Sequence, residues 1–140
     1  MTSATSPKRT KKFYRLEHSE TGIGPYRQSM PLDSRYRFLT ACEAVQDKCN
    51  VSFFSRYHKT PYRDGLGDPI EWFDASARFG FKNMKSLTKW WSDKEEVYRA
   101  FEEFGFEVVC YDVTERYDSH RQSVVSYHDM KNRTVLPFPA

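Results

Sequence analysis

A chain of 140 residues with 22 Lys and Arg against 19 Asp and Glu fits one domain with a core of its own. Phe 11, Tyr 9 and Trp 3 make that core one of rings more than of Leu and Ile. No apolar run approaches the roughly 20 residues that span a bilayer, no apolar segment follows the N-terminal cations as a secretory signal requires, and three cysteines cannot close a disulfide framework, so a cytoplasmic protein without a membrane partner is expected.

Residues 1–12 carry Lys8, Arg9, Lys11 and Lys12 and no acid, whereas residues 13–140 carry 18 basic and 19 acidic groups. The positive balance therefore belongs to this Ser/Thr-rich stretch, read as a disordered tail ahead of one globular domain over 13–140. If the protein touches nucleic acid, these four cations make the contact, through phosphates and without base preference. Within the domain the front is positive and the back negative, which places any anion site towards residues 13–63.

Residues 13–18 read as a strand, with Phe13, Arg15 and Glu17 on one face and Tyr14, Leu16 and His18 on the other. The loop that follows, Glu20 to Tyr26, contains Gly22, Gly24 and Pro25 and reads first as a tight turn after the strand, and second as a loop that offers backbone N–H groups to an anion, with Arg15 and Arg27 near its ends. A helix over roughly 35–48 has Tyr36, Leu39, Cys42 and Val45 as its inner stripe, and residues 51–55 form a short strand. Arg56, His58, Lys59 and Arg63 then alternate with Tyr57 and Tyr62 among turn residues, a pattern suited to phosphate and base contact and equally to plain surface.

A two-turn helix capped near Asn83 places Met84, Leu87 and Trp90 or Trp91 inward. Ser92 and Glu95 have capping-box spacing, Val97, Phe101 and Phe104 give the next helix its apolar stripe, and Gly105 ends it in the left-handed conformation. Residues 106–113 form a strand rich in Val and aromatics, and 123–128 form a second one paired antiparallel to it across a polar turn. Two prolines confine the C-terminal stretch to a sheet edge. The resulting fold is α+β, a small and mainly antiparallel sheet with two or three helices packed on one face. Its core is Leu16, Leu39, Leu87, Trp91, Val97, Phe101, Phe104, Val108 and Val124.

The four His and three Cys fall at no zinc spacing, and no nucleotide-binding glycine motif or nucleophile elbow is present, so no metal or cofactor is expected. Glu17 and His18 are adjacent on a strand and face opposite ways, which weakens them as an acid–base pair. The residues with binding chemistry are Arg15, Glu17, Tyr26, His58, Tyr62, Arg63 and Arg121.

The segment Tyr14 to Arg27, the His58-Lys59-Thr60-Pro61 run with Asp64-Gly65-Leu66, Phe79-Gly80-Phe81 before Trp90-Trp91, and Gly105 through Tyr111 together resemble a family of small uncharacterised phage and bacterial proteins, over residues 13–127. Residues 28–57 look like an insertion relative to it. The resemblance implies a phage accessory protein acting in the bacterial cytoplasm. A fainter one is to ADP-ribosyltransferase-like folds, in which Arg15 matches the first-strand position. Arg121-Gln122-Ser123-Val124 lacks the Glu that those enzymes carry on a late strand, which argues against transfer chemistry while leaving nucleotide binding open. The leading expectation is a non-enzymatic binding module for an anionic, nucleotide-like ligand or a host protein. The alternative is an enzyme acting on a nucleotide or ADP-ribosyl group through Arg15, Glu17 and His58.

Overall fold

The computed structural model describes residues 9–22, 24, 41–50, 77–119 and 121–139. Its elements are β1 (Lys11–His18), α1 (Ala41–Cys49), β2 (Ala77–Gly80), α2 (Met84–Trp91), α3 (Glu95–Glu103), β3 (Phe106–Val113), β4 (Tyr117–Asp118), β5 (Ser123–Ser126) and β6 (Lys131–Leu136). They make two antiparallel three-stranded sheets, ordered β1-β3-β6 and β2-β5-β4, and an α+β fold. The expected strand over 51–55, the first part of the helix over 35–48, and the core position Leu39 lie outside the described residues.

The alternation of β1 settles where the core lies. Leu16 and His18, with Phe106 and Val108 on β3, turn to the helices. There Leu87, Trp90, Trp91, Val97, Tyr98 and Phe101 complete one apolar cluster with Ala41, Cys42 and Val45 of α1. Burying each large side chain of this kind contributes about 1.5–3 kcal/mol. Trp91 meets Phe101 edge to face at 5.3 Å, and Phe101 meets Phe106 at 5.9 Å, so rings do the packing that the composition implied. Phe104 is only partly buried against this cluster. The opposite face of β1 sends Phe13 into a second cluster with Val113 and Val125, which joins the two sheets.

The local signals mostly act as expected. The Asn83 side chain accepts from the Ser86 N–H at 2.7 Å and starts α2. Gly105 has φ +87° and ends α3, with its N–H donating to the Glu102 carbonyl at 2.9 Å. β6 is an edge strand paired to β3, and Pro137 follows it directly.

Four readings need correction. Lys94, not Ser92, precedes the first turn of α3, and the Ser92 hydroxyl accepts from the Lys94 N–H at 2.9 Å in a tight turn of its own. Residues 123–126 pair with β2 and β4 and not with residues 106–113, because both edges of β3 are already taken by β1 and β6. The polar stretch after β3 is not only a turn, since Tyr117–Asp118 forms β4. The first strand begins at Lys11, so the last two tail cations are strand residues, and Lys12 is ion-paired to Asp112 at 2.6 Å.

Among the described residues two backbone hydrogen bonds join the sheets. Tyr14 N–H donates to the Phe81 carbonyl at 2.8 Å, and Phe81 N–H donates to the Tyr14 carbonyl at 2.7 Å. A Cβ at Gly80 would run into that Tyr14 oxygen and stand 2.7 and 2.9 Å from ring carbons of Phe13. The strands therefore cross here at a distance that only glycine permits. Extending the Tyr14–Phe81 register would place Leu16 opposite Phe79, but β2 leaves β1 at the crossing to pair with β5.

Candidate ligand-binding site

A cavity of about 250 Å³ opens in the fork between β1 and β2. It exists because the two strands touch at Tyr14 and Phe81 and then part. Arg15 and Leu16 line it from β1, and Ala77 to Phe81 line it from β2. Trp90 and Trp91 of α2, Gln122 before β5, and Thr21, Gly22 and Gly24 of the loop after β1 complete the described wall. Gly22 takes φ +69°, and its N–H closes a turn back onto the His18 carbonyl at 2.8 Å.

Among the described lining residues the charge is of one sign. Arg15 and Arg78 are its ionisable residues among the described ones, and no carboxylate stands with them. Arg15 is 6 % exposed, its Nε lies 3.5 Å from Glu17 Oε2, and one terminal nitrogen is so near the loop that a Cβ at Gly24 would be 2.9 Å from it. Arg78 stacks on the Tyr127 ring at 5.1 Å and donates from a terminal nitrogen to the Ala77 carbonyl at 3.0 Å. Two guanidinium groups with aromatic walls suit an anion attached to a flat, apolar body.

Behind Arg15 lies a polar network on the sheet face turned away from the helices. Glu17, 2 % exposed, accepts on Oε1 from the Tyr111 hydroxyl and from Arg133 Nε, both at 2.6 Å. Arg133 also reaches Glu107 at 2.7 Å. Burial, followed by donation to the Glu17 carboxylate, pushes the Tyr111 phenol up to about 12. Burial acts against the charge on Arg133, and its bonds to Glu17 and Glu107 outweigh it and raise its pKa. With its oxygens engaged in this way, Glu17 holds its neighbours in place and does not line the cavity. His18 points to the other side, packed edge to face on Phe106 at 5.6 Å, with its Nδ1 accepting from the Glu20 N–H at 3.3 Å.

Of the residues singled out in the sequence, Arg15 lines the cavity and Glu17 supports it. Arg121 is partly buried next to Gln122 but is not in the cavity wall, and Tyr26, His58, Tyr62 and Arg63 lie outside the described residues. Thr21, Gly22 and Gly24 of the Gly-rich loop, a tight turn or an anion cradle by sequence, border the site. Arg78 and Gln122 were missed. The one sequence signal for Arg78 was a cation set directly before Phe79-Gly80-Phe81, which reads as a plain strand until the crossing at Gly80 is known. Trp90 and Trp91 were read as core, and both belong to core and cavity wall at once.

Other polar clusters serve the fold. Asp129 accepts from the Thr114 N–H and hydroxyl at 2.8 Å each and from the Glu115 N–H at 2.9 Å, clasping the turn after β3. Burial pushes the Cys42 thiol up, away from reactivity. Among the described residues no group of three or more His, Cys, Asp and Glu is placed to hold a metal ion. None of the described helices is long and apolar enough to cross a membrane.

Comparison with curated proteins and with solved structures returns no match. Comparison with family models does, and it covers both sheets, all three described helices and the cavity between β1 and β2. Residues 10–138 match the model described as "Bacteriophage T4 Y00F protein", and the chain belongs to that phage protein family.

Proposed function

We propose that the protein is a binding module that captures a small anionic ligand of nucleotide type in the cavity between β1 and β2. The carrying observation is the pairing of Arg15 and Arg78 in one aromatic-walled cavity with no carboxylate among its described lining residues. A volume of about 250 Å³ falls just below the roughly 300–1,000 Å³ of drug-sized pockets, so it suits a ligand no larger than a nucleoside monophosphate. Binding without catalysis is supported by Glu17, the acid of the enzymatic alternative, being committed to Tyr111 and Arg133 outside the cavity wall. Membership of a phage family supports action in an infected bacterial cell.

Calorimetric titration with nucleoside monophosphates, sugar phosphates and inorganic phosphate tests this. Binding is expected at micromolar to millimolar ligand, weakened about tenfold or more in Arg78→Gln, as fits loss of a charge-assisted hydrogen bond. No heat with any anion, or an unchanged affinity in Arg78→Gln, would refute it. Turnover of NAD on prolonged incubation, abolished in Glu17→Gln, would favour the enzymatic alternative instead.

A further inference from the structure

We infer that the cavity reads its ligand through the open backbone edge of β1 at Leu16, and that the ligand therefore carries a nucleobase-like ring with a hydrogen-bond donor next to an acceptor. The phosphate of this ligand rests on the anion-binding reading above, and its ring on the backbone edge of β1.

In an antiparallel strand, alternate residues direct both N–H and C=O to the same side. The residues of β1 that face away from β3 are Lys12, Tyr14, Leu16 and His18, since Tyr14 spends both its groups on Phe81 and the register with β3 is unbroken. Three of these four have their carbonyls taken. The Lys12 carbonyl accepts from Arg116 at 2.7 Å, Tyr14 is paired to Phe81, and the His18 carbonyl accepts from Gly22 at 2.8 Å. Leu16 sits between the last two, and no described residue bonds to its peptide N–H or C=O on this side. Opposite it the register would bring Phe79, but the β1–β2 pairing is an isolated bridge at Tyr14 and Phe81 and does not extend to Leu16 and Phe79.

Leu16 is 2 % exposed, so bulk water has little access to it. Leu16 lines the cavity, and its N–H and C=O face the side of β1 on which the fork opens; since buried peptide groups are almost always paired, such an edge is a place for recognition. The N–H and C=O of one residue match a flat ring that offers an acceptor beside a donor, as each nucleobase does on its pairing edge. Phe79, Phe81 and Trp90 supply apolar surface for such a ring, and Arg15 and Arg78 meet the charge attached to it.

The test uses the full chain, with AMP, CMP, GMP, UMP, ribose 5-phosphate and the four free nucleosides as probes. Affinity is read by calorimetry and the Leu16 amide by residue-resolved hydrogen exchange. At least one nucleotide is expected to bind about tenfold more tightly than ribose 5-phosphate, and the same nucleotide is expected to slow exchange at the Leu16 amide. Equal binding of ribose 5-phosphate, or a nucleotide preference without protection of Leu16, overturns the edge inference and leaves the anion reading standing. Nucleosides that protect Leu16 while phosphates add nothing would uphold the edge and refute the anion reading. A Leu16 amide already exchanging as slowly as that of Tyr14 in the ligand-free protein would show the edge to be filled by the chain itself, and overturns the inference. Failure of every probe overturns both.

Discussion

Replacing Gly80 with Ala is expected to part the two sheets at the point where they are joined. The added methyl group has no space, because the Tyr14 carbonyl oxygen lies far inside the 3.0 Å limit that real Cβ atoms respect and Phe13 ring carbons stand at 2.7 and 2.9 Å. The Tyr14 oxygen is the acceptor of one of the two joining bonds, so it cannot withdraw without stretching a 2.7 Å hydrogen bond past the usual range. Phe13 is fully buried between the sheets and cannot turn away. Overpacking of this kind costs about 1–3 kcal/mol. Weakening one or both backbone bonds adds about 1 kcal/mol each. A loss of about 3 kcal/mol is therefore expected in urea denaturation followed by tryptophan fluorescence. Gly22→Ala is the matched control: its φ of +69° is strained for alanine, but nothing lies within 4 Å of the new methyl, so about 1 kcal/mol is expected. A Gly80→Ala loss no larger than that of Gly22→Ala would refute the reasoning, since the crossing would then have slack.

Three further outcomes follow from the polar groups. Glu17→Gln keeps the shape but leaves Arg15, Arg133 and Tyr111 without their carboxylate, and should cost about 2–4 kcal/mol in the same denaturation assay, whereas a change under about 0.5 kcal/mol would show that the network adds nothing. The Tyr111 phenol, raised to about 12 by burial and by Glu17, favours the folded state fully below its ordinary value of 10.0, and that contribution is lost as pH rises towards 12. Ultraviolet titration should therefore lose a late-ionising tyrosine in Tyr111→Phe, and an unchanged curve would refute the assignment. Burial pushes the Asp129 carboxyl up, but its bonds to Glu115 and Thr114 prevail and lower it below 3.8, so it stabilises above that value and ceases to do so as pH falls through its folded pKa. The stability gap between wild type and Asp129→Asn should shrink in that acid range, and a constant gap would count against the clasp.

What the sequence disclosed was local. The Asn83 cap, the Gly105 stop and the Val97–Phe101 stripe each act within one or two turns, and the residues that cause them are adjacent in the chain. Strand existence was legible for β1, β3 and β5 from alternation and β-branching. Strand pairing was not, because nothing in residues 123–126 records that both edges of β3 are occupied by strands from opposite ends of the chain. The site was half legible for the same reason. Arg15 and the glycine loop are neighbours in sequence, whereas Arg78, Gln122 and the Leu16 edge come together only because Gly80 lets β2 touch β1 and then leave it. A glycine between two phenylalanines gives no sign, by itself, of what it passes.

The central claim is that the fork between β1 and β2 is a ligand site, and a crystal structure of the protein soaked with the tightest-binding nucleoside monophosphate tests it most directly. Density is expected in the fork, with phosphate oxygens within about 3 Å of Arg15 or Arg78 nitrogens and the ring edge within about 3 Å of the Leu16 peptide. A nucleotide bound elsewhere, with the fork unoccupied or closed by the protein's own chain, would contradict it.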